Sequence, residues 1–425
     1  MSGAAERPRV LILGGGFAGV GAAQKLEHAD ADVVLVDRHD YHTFQPLLYQ
    51  YATGLLETTG VGHSLRDLLE RHGNATIHKA SVSAVDLDKR TVTFGEGLAP
   101  ISYDYLVFGL GAEVNFFGTE GAAGHAFPMY TLPHALNLKE HLLERWEAAD
   151  RDPTLIADGA LNVVVVGGGP TGVETAGAIA ELYRGDFSKD YRDVAADDAQ
   201  ITLVEAGEEL FPMFKPKLRT YAAKALAKRT VEVKTGQVVA SVSPTRVTLK
   251  SGDVLAAHTL VWGAGLQGNQ LVTSLGLDLQ RGNRIGVGPD LTLPGHPEVY
   301  VVGDIAAITD SKTEQVLPQL GSVALQSGEH AGETIARRIG GKPVKPFAYR
   351  DKGTMATIGR GAAVVQMLGG RTMTGLKAQV AWGTVHLALL PTNEDRAKAI
   401  VSWAGAGMTH QRVGRISVES DEAAT

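Results

Sequence analysis

Cysteine is absent from the 425 residues. The chain can therefore form no disulfide, no thiolate-ligated zinc site, no cysteine-held iron–sulfur cluster and no redox dithiol. Electrons that reach a cofactor here must leave it directly. A basic excess is also missing: 40 Lys and Arg stand against 47 Asp and Glu, a formal charge of -7, which gives no electrostatic ground for a nucleic-acid partner. Long hydrophobic runs are lacking too. Residues 10–13 are apolar but run into glycines, and no segment offers the ~20 apolar residues of a membrane-spanning helix. Residues 1–9 carry Glu6 and no apolar run, so they do not read as a secretory signal and predict a protein made and kept in the cytoplasm. None of the 14 His falls in a His-Glu-x-x-His pattern, and no Gly-x-Ser-x-Gly follows a strand, so neither a catalytic metal nor a serine nucleophile is expected.

What is present is an ordinary globular composition, 44% hydrophobic and 20% charged, in a chain long enough for two or three domains. Residues 9–13 predict a buried parallel strand, 17–28 a helix and 32–36 a second strand. The turn between the first two is Gly14-Gly15-Gly16-Phe17-Ala18-Gly19. In such a turn the first glycine permits the tight bend, the second lets the backbone approach a pyrophosphate, and the third lets helix and strand pack closely. The diphosphate then meets the helix N-terminus, where unpaired N–H groups favour negative charge. Asp37 stands at the end of the second strand, placed to accept from a ribose hydroxyl.

The same grammar returns with a strand at 162–166, the turn Gly167-Gly168-Gly169-Pro170-Thr171-Gly172, a helix through Tyr183 and a strand at 200–204 ending in Glu205. The acid lies farther on than the usual ~20 residues because residues 184–199 form a polar insertion. Glu205 would bond a bare 2'-hydroxyl and repel a 2'-phosphate, favouring NADH over NADPH; the plainer alternative is an ordinary strand-end acid. With two sites, one nucleotide stays bound, the other visits, and a hydride passes between their rings. Gly303-Asp304, after a strand at 299–302, decides which is which: the glycine allows close approach and the Asp can hold a ribityl hydroxyl, so FAD is expected in the first domain. The strand-loop pieces around Gly109-Leu110-Gly111 and Gly263-Ala264-Gly265 hold corresponding places, their glycines letting domain crossings run close to the nucleotides.

Further strands are predicted at 91–94 and 105–108, an amphipathic helix at 135–149, a polar crossing at 150–159 around Pro153, and a meander over 231–239 and 246–249. The expected fold is α/β, with two Rossmann-like dinucleotide-binding domains, the NADH domain inserted in the FAD domain, plus a C-terminal helical membrane-association segment. The expected boundaries are 1–125 and 290–370 for the FAD domain, 126–289 for the NADH domain and 371–425 for the tail.

One run is far more diagnostic than the glycine turns: Val36-Asp37-Arg38-His39-Asp40-Tyr41-His42-Thr43-Phe44-Gln45-Pro46-Leu47-Leu48-Tyr49-Gln50. With residues 167–174, Gly303-Asp304 and Ala324-Leu325-Gln326-Ser327-Gly328, it resembles the type II NADH dehydrogenases, single-subunit NADH:quinone oxidoreductases that do not pump protons, over nearly the whole chain. The resemblance implies tightly bound FAD in the first domain, NADH as substrate in the second, and a quinone, menaquinone by expectation, reaching the flavin from the opposite side. It implies cofactor contacts at Gly14, Gly16, Phe17, Ala18, Gly19, Asp37, Arg38, Gln45, Val82, Gly111, Gly303 and Asp304, and at Gly167, Gly169, Pro170, Thr171, Gly172, Glu205 and Gly265.

Two catalytic residues follow from the same likeness. Glu174 matches the family's active-site acid implicated in quinone reduction, the alternative being an acid that complements the helix dipole. Gln326 matches the Gln of the quinone-side motif, the alternative being a helix residue bonding backbone. Gly321-Ser322 and Ser327 depart from the Ala-Gln and second Gln common in that motif, which leaves the quinone unspecified. Hydride transfer needs alignment above all, while quinone reduction also needs protons, which a carboxyl group such as Glu174, raised in pKa by a dry site, can relay.

The tail resembles the family's membrane-facing C-terminus. Lys377, Trp382, His386, Leu389 and Leu390 are expected on an amphipathic helix, followed by residues 396–403 and by Arg412 and Arg415, a pattern suited to anionic lipid. Packing on the protein itself or on a second subunit of a homodimer is the alternative. The resulting expectation is a peripheral protein on the cytoplasmic face of the cell membrane. Two other functions stay open: a soluble NADH-dependent flavoprotein reducing an electron-transfer protein or other small acceptor, and a nucleotide-sensing protein that keeps FAD. Sulfide:quinone oxidoreductases share the architecture but work through cysteines.

Overall fold

The computed structural model describes residues 7–191 and 193–409. It divides into two compact units, one made of Met1–Thr43, Gly62–Val114 and Leu266–Arg350, the other of Phe44–Val61, Asn115–Gly265 and Asp351–Thr425.

The first unit is built on a six-stranded sheet in the order Thr292–Leu293, His296–Val301, Tyr105–Phe108, Arg9–Leu13, Asp32–Asp37, Ala75–Lys79. All pairings are parallel except the first. The central strands are continuous apolar runs because both faces are covered, and Val10, Leu11, Ile12 and Leu13 are fully buried. Helix Phe17–Lys25 leaves the central strand, and helix Gly321–Ile339 lies directly on it. Two glycines permit that closeness: a Cβ at Gly328 would stand 1.9 Å from the Ala18 carbonyl oxygen, and one at Gly332 2.4 Å from that of Ala22.

The second unit carries an all-parallel five-stranded sheet in the order Phe127–Pro128, Thr259–Trp262, Val163–Val166, Ile201–Val204, Val231–Lys234. Helix Leu132–Arg151 is capped by Thr131, whose side chain accepts from the His134 N–H. Helix Pro170–Leu182 begins with proline, whose missing N–H would have no partner in the first turn. A three-stranded antiparallel sheet, Thr354–Gly359, Ala362–Gln366 and Thr372–Thr374, packs against this helix on one side and against helix Gly375–Leu389 on the other. Here too a glycine sets the distance, since a Cβ at Gly177 would lie 2.0 Å from the Ile358 carbonyl oxygen.

Several expectations are corrected. Residues 351–370 belong to the second unit and not with the first, because the strand Thr354–Gly359 docks on the Gly177 helix. Residues 266–289 belong to the first unit, where Leu266–Gly268 pairs with Ala112–Val114. Residues 44–61 belong to the second. The expected strand at 231–239 is two strands: Val231–Lys234 extends the parallel sheet, and Val239–Val242 opens a separate antiparallel one. Past Leu182 the helix widens into a π-turn, Tyr183–Phe187, which brings Tyr183 and Phe187 against Trp146 at 4.9 and 5.0 Å between ring centroids.

In the tail, helices Gly375–Leu389 and Asn393–Thr409 form, but the expected face is reversed. Trp382, His386 and Leu390 are buried, with Trp382 stacked on His386 at 4.1 Å and set against Trp403 at 5.7 Å. Leu389 is exposed as expected, together with Leu376, Val380, Ile400 and Val401. Arg412 and Arg415 lie outside the described residues. Among the described residues no helix is long and apolar enough to cross a membrane.

Candidate functional site

In the first unit the glycine turn divides its labour as the sequence implies. Gly14 has φ +103°, and a Cβ there would stand 2.3 Å from the Gly109 carbonyl oxygen; a Cβ at Gly19 would stand 1.8 Å from that of Gly14. Gly16, which caps the helix, faces open space with nothing within 4 Å of its Cβ direction. The turn is thus closed where it packs and open at the helix N-terminus where an anion would enter. Asp37 ties the turn down: its carboxylate accepts from Gly15 N–H at 2.6 Å and from His39 N–H at 2.7 Å. Burial opposes its charge, but the hydrogen bonds from His39 and the backbone prevail and hold it below the usual carboxylate range.

His42 was carried in the diagnostic run without a role. The structure gives it one: its Nδ1 donates to the Gly15 carbonyl at 3.0 Å, and its ring meets Phe17 edge-on at 4.9 Å. Burial, with the neighbouring His63 acting the same way, brings its pKa down to about 4, so the ring is neutral. Across the unit, Gly303 adopts φ +74°, and its N–H donates to Ser327 Oγ at 3.0 Å. Ser327, noted in the sequence only as a departure, in turn donates to the Ala324 carbonyl at 2.9 Å, latching the Gly303-Asp304 loop to helix Gly321–Ile339. Arg284, which sequence reasoning missed, is buried and donates through Nε to the Ala306 carbonyl at 3.0 Å and through Nη2 to that of Leu317 at 3.1 Å, beside Asp304. Nothing local in its sequence signals this, since both acceptors lie more than twenty residues away.

The second turn repeats the first. Gly167 has φ +111°, Gly169 faces open space, and a Cβ at Gly172 would stand 1.8 Å from the Gly167 carbonyl oxygen. Glu205 accepts from Gly168 N–H at 2.5 Å and from Gly207 N–H at 2.6 Å. Gly265, at φ +72°, is held close to Phe117 and the Asn115 carbonyl. Gln45 lies in this unit and donates to the Tyr130 carbonyl at 3.3 Å, Arg38 is exposed, and Val82 is half-buried at the start of strand Val82–Asp86.

Glu174 is buried on helix Pro170–Leu182, beyond its first turn, so the dipole does not account for it. Its Oε1 accepts from Thr357 N–H at 3.0 Å. Burial dominates that single bond and pushes its pKa up to about 8, which gives a carboxyl group able to hold and release a proton near neutral pH. Tyr49 Oη lies 2.8 Å from Thr357 Oγ1 and accepts from Gln50 Nε2 at 2.9 Å; burial and the Glu174 charge hold the phenol proton on. Gln326, by contrast, sits in the first unit with both ends of its amide engaged by one backbone: Nε2 donates to the Arg350 carbonyl at 3.1 Å and Oε1 accepts from Arg350 N–H at 3.0 Å. This is the backbone-bonding geometry of the alternative reading.

Both turns fit a dinucleotide diphosphate. Each pairs a tight positive-φ glycine with an unobstructed glycine at a helix start and a strand-end acid on the loop.

Residues 8–328 match the family model of the pyridine nucleotide-disulphide oxidoreductases. The chain is 34% identical over 430 residues to the type II NADH:quinone oxidoreductase NdhA of Mycobacterium tuberculosis, covering 97% of this chain and 90% of that one. It is 30% identical to the type II NADH:quinone oxidoreductase of Staphylococcus haemolyticus, covering 88% and 93%. Its fold is similar to that of NDH2 from Plasmodium falciparum in complex with NADH, with a TM-score of 0.89 at 19% identity, covering 97% of this chain and all of that one.

Proposed function

The chain belongs to the type II NADH:quinone oxidoreductase family, and from that premise we propose that it oxidises NADH through FAD and delivers two electrons to a quinone, menaquinone, without moving protons across the membrane. The observation that carries this reading is the pair of complete dinucleotide turns, each with its acid, in a chain that has no cysteine.

FAD, when bound, supplies two-electron chemistry able to take a hydride and return electrons to a quinone. The first unit would hold it with Gly14, Gly16, Phe17, Ala18 and Gly19 at the diphosphate, with Asp37 at a ribose, and with Gly303 and Asp304 at the ribityl chain; Arg38, Val82 and Gly111 lie on the same unit. The second unit would receive NADH with Gly167, Gly169, Pro170, Thr171 and Gly172 at the diphosphate, Glu205 at the adenosine ribose and Gly265 at the crossing. Gln45 is the one expected flavin contact whose segment groups with this unit. Neutral His42 and the anionic Asp37 hold the first loop from either side of Gly15, so the turn is set before any ligand arrives.

The protein's own acid–base part falls to Glu174. A group that titrates near pH 8 is largely protonated at neutral pH and donates at small energetic cost. Gln326 acts by pinning Arg350 to helix Gly321–Ile339. The exposed apolar side chains of the C-terminal helices, Leu376 and Val401 at 66% and 70% exposure among them, would rest on the cytoplasmic face of the membrane, where quinone is dissolved.

The test is an anaerobic titration of the yellow protein with NADH followed by menadione. Bleaching of the flavin band by NADH and its return on adding menadione are expected. A colourless folded protein that takes up no flavin, or a bleached one that menadione does not restore, overturns the proposal.

A further inference from the structure

Four side chains from three distant segments form one hydrogen-bonded file inside the second unit. Trp403 Nε1 donates to Gln50 Oε1 at 2.8 Å, Gln50 Nε2 donates to Tyr49 Oη at 2.9 Å, and Tyr49 Oη meets Thr357 Oγ1 at 2.8 Å. The backbone N–H of the same Thr357 donates to Glu174 Oε1. Gln50, Tyr49 and Thr357 are buried, so the file has little water to exchange partners with.

The direction of its outer part is dictated by Trp403. An indole N–H can only donate, which obliges Gln50 to turn its oxygen to Trp403 and its amide nitrogen to Tyr49. The phenol oxygen accepts from Gln50 and shares its other hydrogen bond with Thr357 Oγ1, in which either hydroxyl can donate. Thr357 is thereby tied through its side chain to Tyr49 and through its backbone N–H to the Glu174 carboxylate.

We propose that Gln50 and Trp403 are positioning residues for Glu174: the seating of helix Asn393–Thr409 through Trp403 holds Tyr49 and, through it, Thr357, whose backbone N–H bonds the Glu174 carboxylate, and so decides how readily Glu174 keeps its proton. The inference rests on the reading of Glu174 as the acid of quinone reduction. Of the ionisable groups on the elements packed against its helix, Tyr49 interacts with Glu174, Glu181 is held by Arg229 at 2.9 Å, and Glu232 by Lys234 at 2.8 Å. The sign follows. With the file broken, Thr357 is held less firmly, its N–H bond to the carboxylate weakens, the charged form loses that hydrogen bond, and Glu174 keeps its proton to higher pH. The loss of one hydrogen bond by a charged group corresponds to an upward shift of about one pH unit.

The experiment follows flavin reduction by NADH and reoxidation by menadione in stopped flow across pH 6 to 10, in the holoenzyme and in Trp403→Phe, Gln50→Leu and Glu174→Gln. Phe keeps the ring packed on Trp382 and removes only the donor. Reoxidation in the parent protein should lose rate as pH rises through the Glu174 range, and this limb should move up by about one unit in both file variants, with the rate of flavin reduction unchanged. In protein labelled with 5-fluorotryptophan, which has four tryptophans, the Trp403 fluorine resonance, assigned by its loss in Trp403→Phe, should titrate with the same limb. That titration should vanish in Glu174→Gln. A limb that Glu174→Gln removes but that both file variants leave in place overturns the positioning role alone. A limb that survives in Glu174→Gln overturns the acid reading and the file with it.

Discussion

At the scale of single residues, the chemistry turns on carboxyl groups whose surroundings pull them apart. Asp37 and Glu205 each accept two backbone N–H bonds, and those on Asp37 help hold it below the usual carboxylate range, whereas Glu174 accepts one and is buried. A carboxyl group raised to about 8 when folded binds its proton more tightly than in the unfolded chain. Its favourable contribution is therefore present at low pH and is lost as pH rises from the unfolded value of about 4.5 through 8. The slope is about 1.4 kcal/mol per pH unit within that window. Urea unfolding of the parent and of Glu174→Gln at pH 5, 7 and 9 should show the parent losing more stability across the series than the variant; parallel curves would refute the raised pKa. Beside the ribose contact proposed for it, Glu205 holds Gly168 and Gly207. Glu205→Gln should raise kcat/KM for NADPH relative to NADH about tenfold, equivalent to ~1.4 kcal/mol, while weakening both through the loosened loop; an unchanged ratio would remove Glu205 from cofactor choice. The glycine turns and the strand-end acids Asp37 and Glu205 were legible in the sequence because the strand–turn–helix–strand order repeats, and Glu174 was legible from the resemblance alone. The Trp403–Gln50 bond was not, because its partners are 353 residues apart and no spacing links them.

At the scale of elements, both glycine turns are supported from outside by surfaces that tolerate no side chain. Helix Gly321–Ile339 rests on Phe17–Lys25 through Gly328 and Gly332, and strand Thr354–Gly359 rests on helix Pro170–Leu182 through Gly177. The second contact places Thr357 N–H on Glu174, so a methyl group at Gly177 should be felt at the acid. Gly177→Ala sets a Cβ 2.0 Å from a carbonyl oxygen, which forces helix and strand apart at a cost of about 1–3 kcal/mol. It should also lengthen the Thr357 bond, raise the Glu174 pKa further and carry the alkaline limb of flavin reoxidation upward. Denaturant unfolding and the pH profile together check this, and a stability loss with an unmoved limb would mean that the bond survives the shift. The alternation of strand and helix was readable from apolar periodicity, and with it the two nucleotide folds. The docking of residues 351–370 was not, because a short strand beside a buried helix leaves no periodic trace; only the missing Cβ of Gly177 marks the contact, and one small residue in a helix rich in alanine and glycine carries no signal.

At the scale of the whole molecule, the question is how a chain with a formal charge of -7 finds a quinone dissolved in lipid. Net charge works against an anionic surface, and the arginines expected to help, Arg412 and Arg415, lie outside the described residues. The tryptophan expected at the interface, Trp382, is inside the protein. On the outside of helix Gly375–Leu389 the aliphatic side chains Leu376, Val380, Val385 and Leu389 stand beside the exposed Lys377 and Thr384, with Ile400 and Val401 on the helix that follows. Attraction by burial of such side chains is weakly affected by salt, whereas attraction between charges fades within about 8–10 Å at physiological ionic strength. Binding to vesicles should accordingly persist from low salt to 0.5 M and occur on zwitterionic as well as anionic lipid. Each large aliphatic side chain buried contributes about 1.5–3 kcal/mol, so the triple variant Leu376→Gln, Val380→Gln, Leu389→Gln should lower vesicle affinity by at least about a hundredfold. These positions face outward, and flavin content and turnover with a water-soluble quinone should stay intact. Removing the tail at residue 370 would be a poorer test, because Trp382, His386 and Trp403 are built into the unit and their loss would unsettle Glu174 as well. Flotation of the triple variant with vesicles at undiminished strength would exclude the stripe as the membrane contact, and a fall in solution mass with flotation unchanged would assign it to a second copy of the chain.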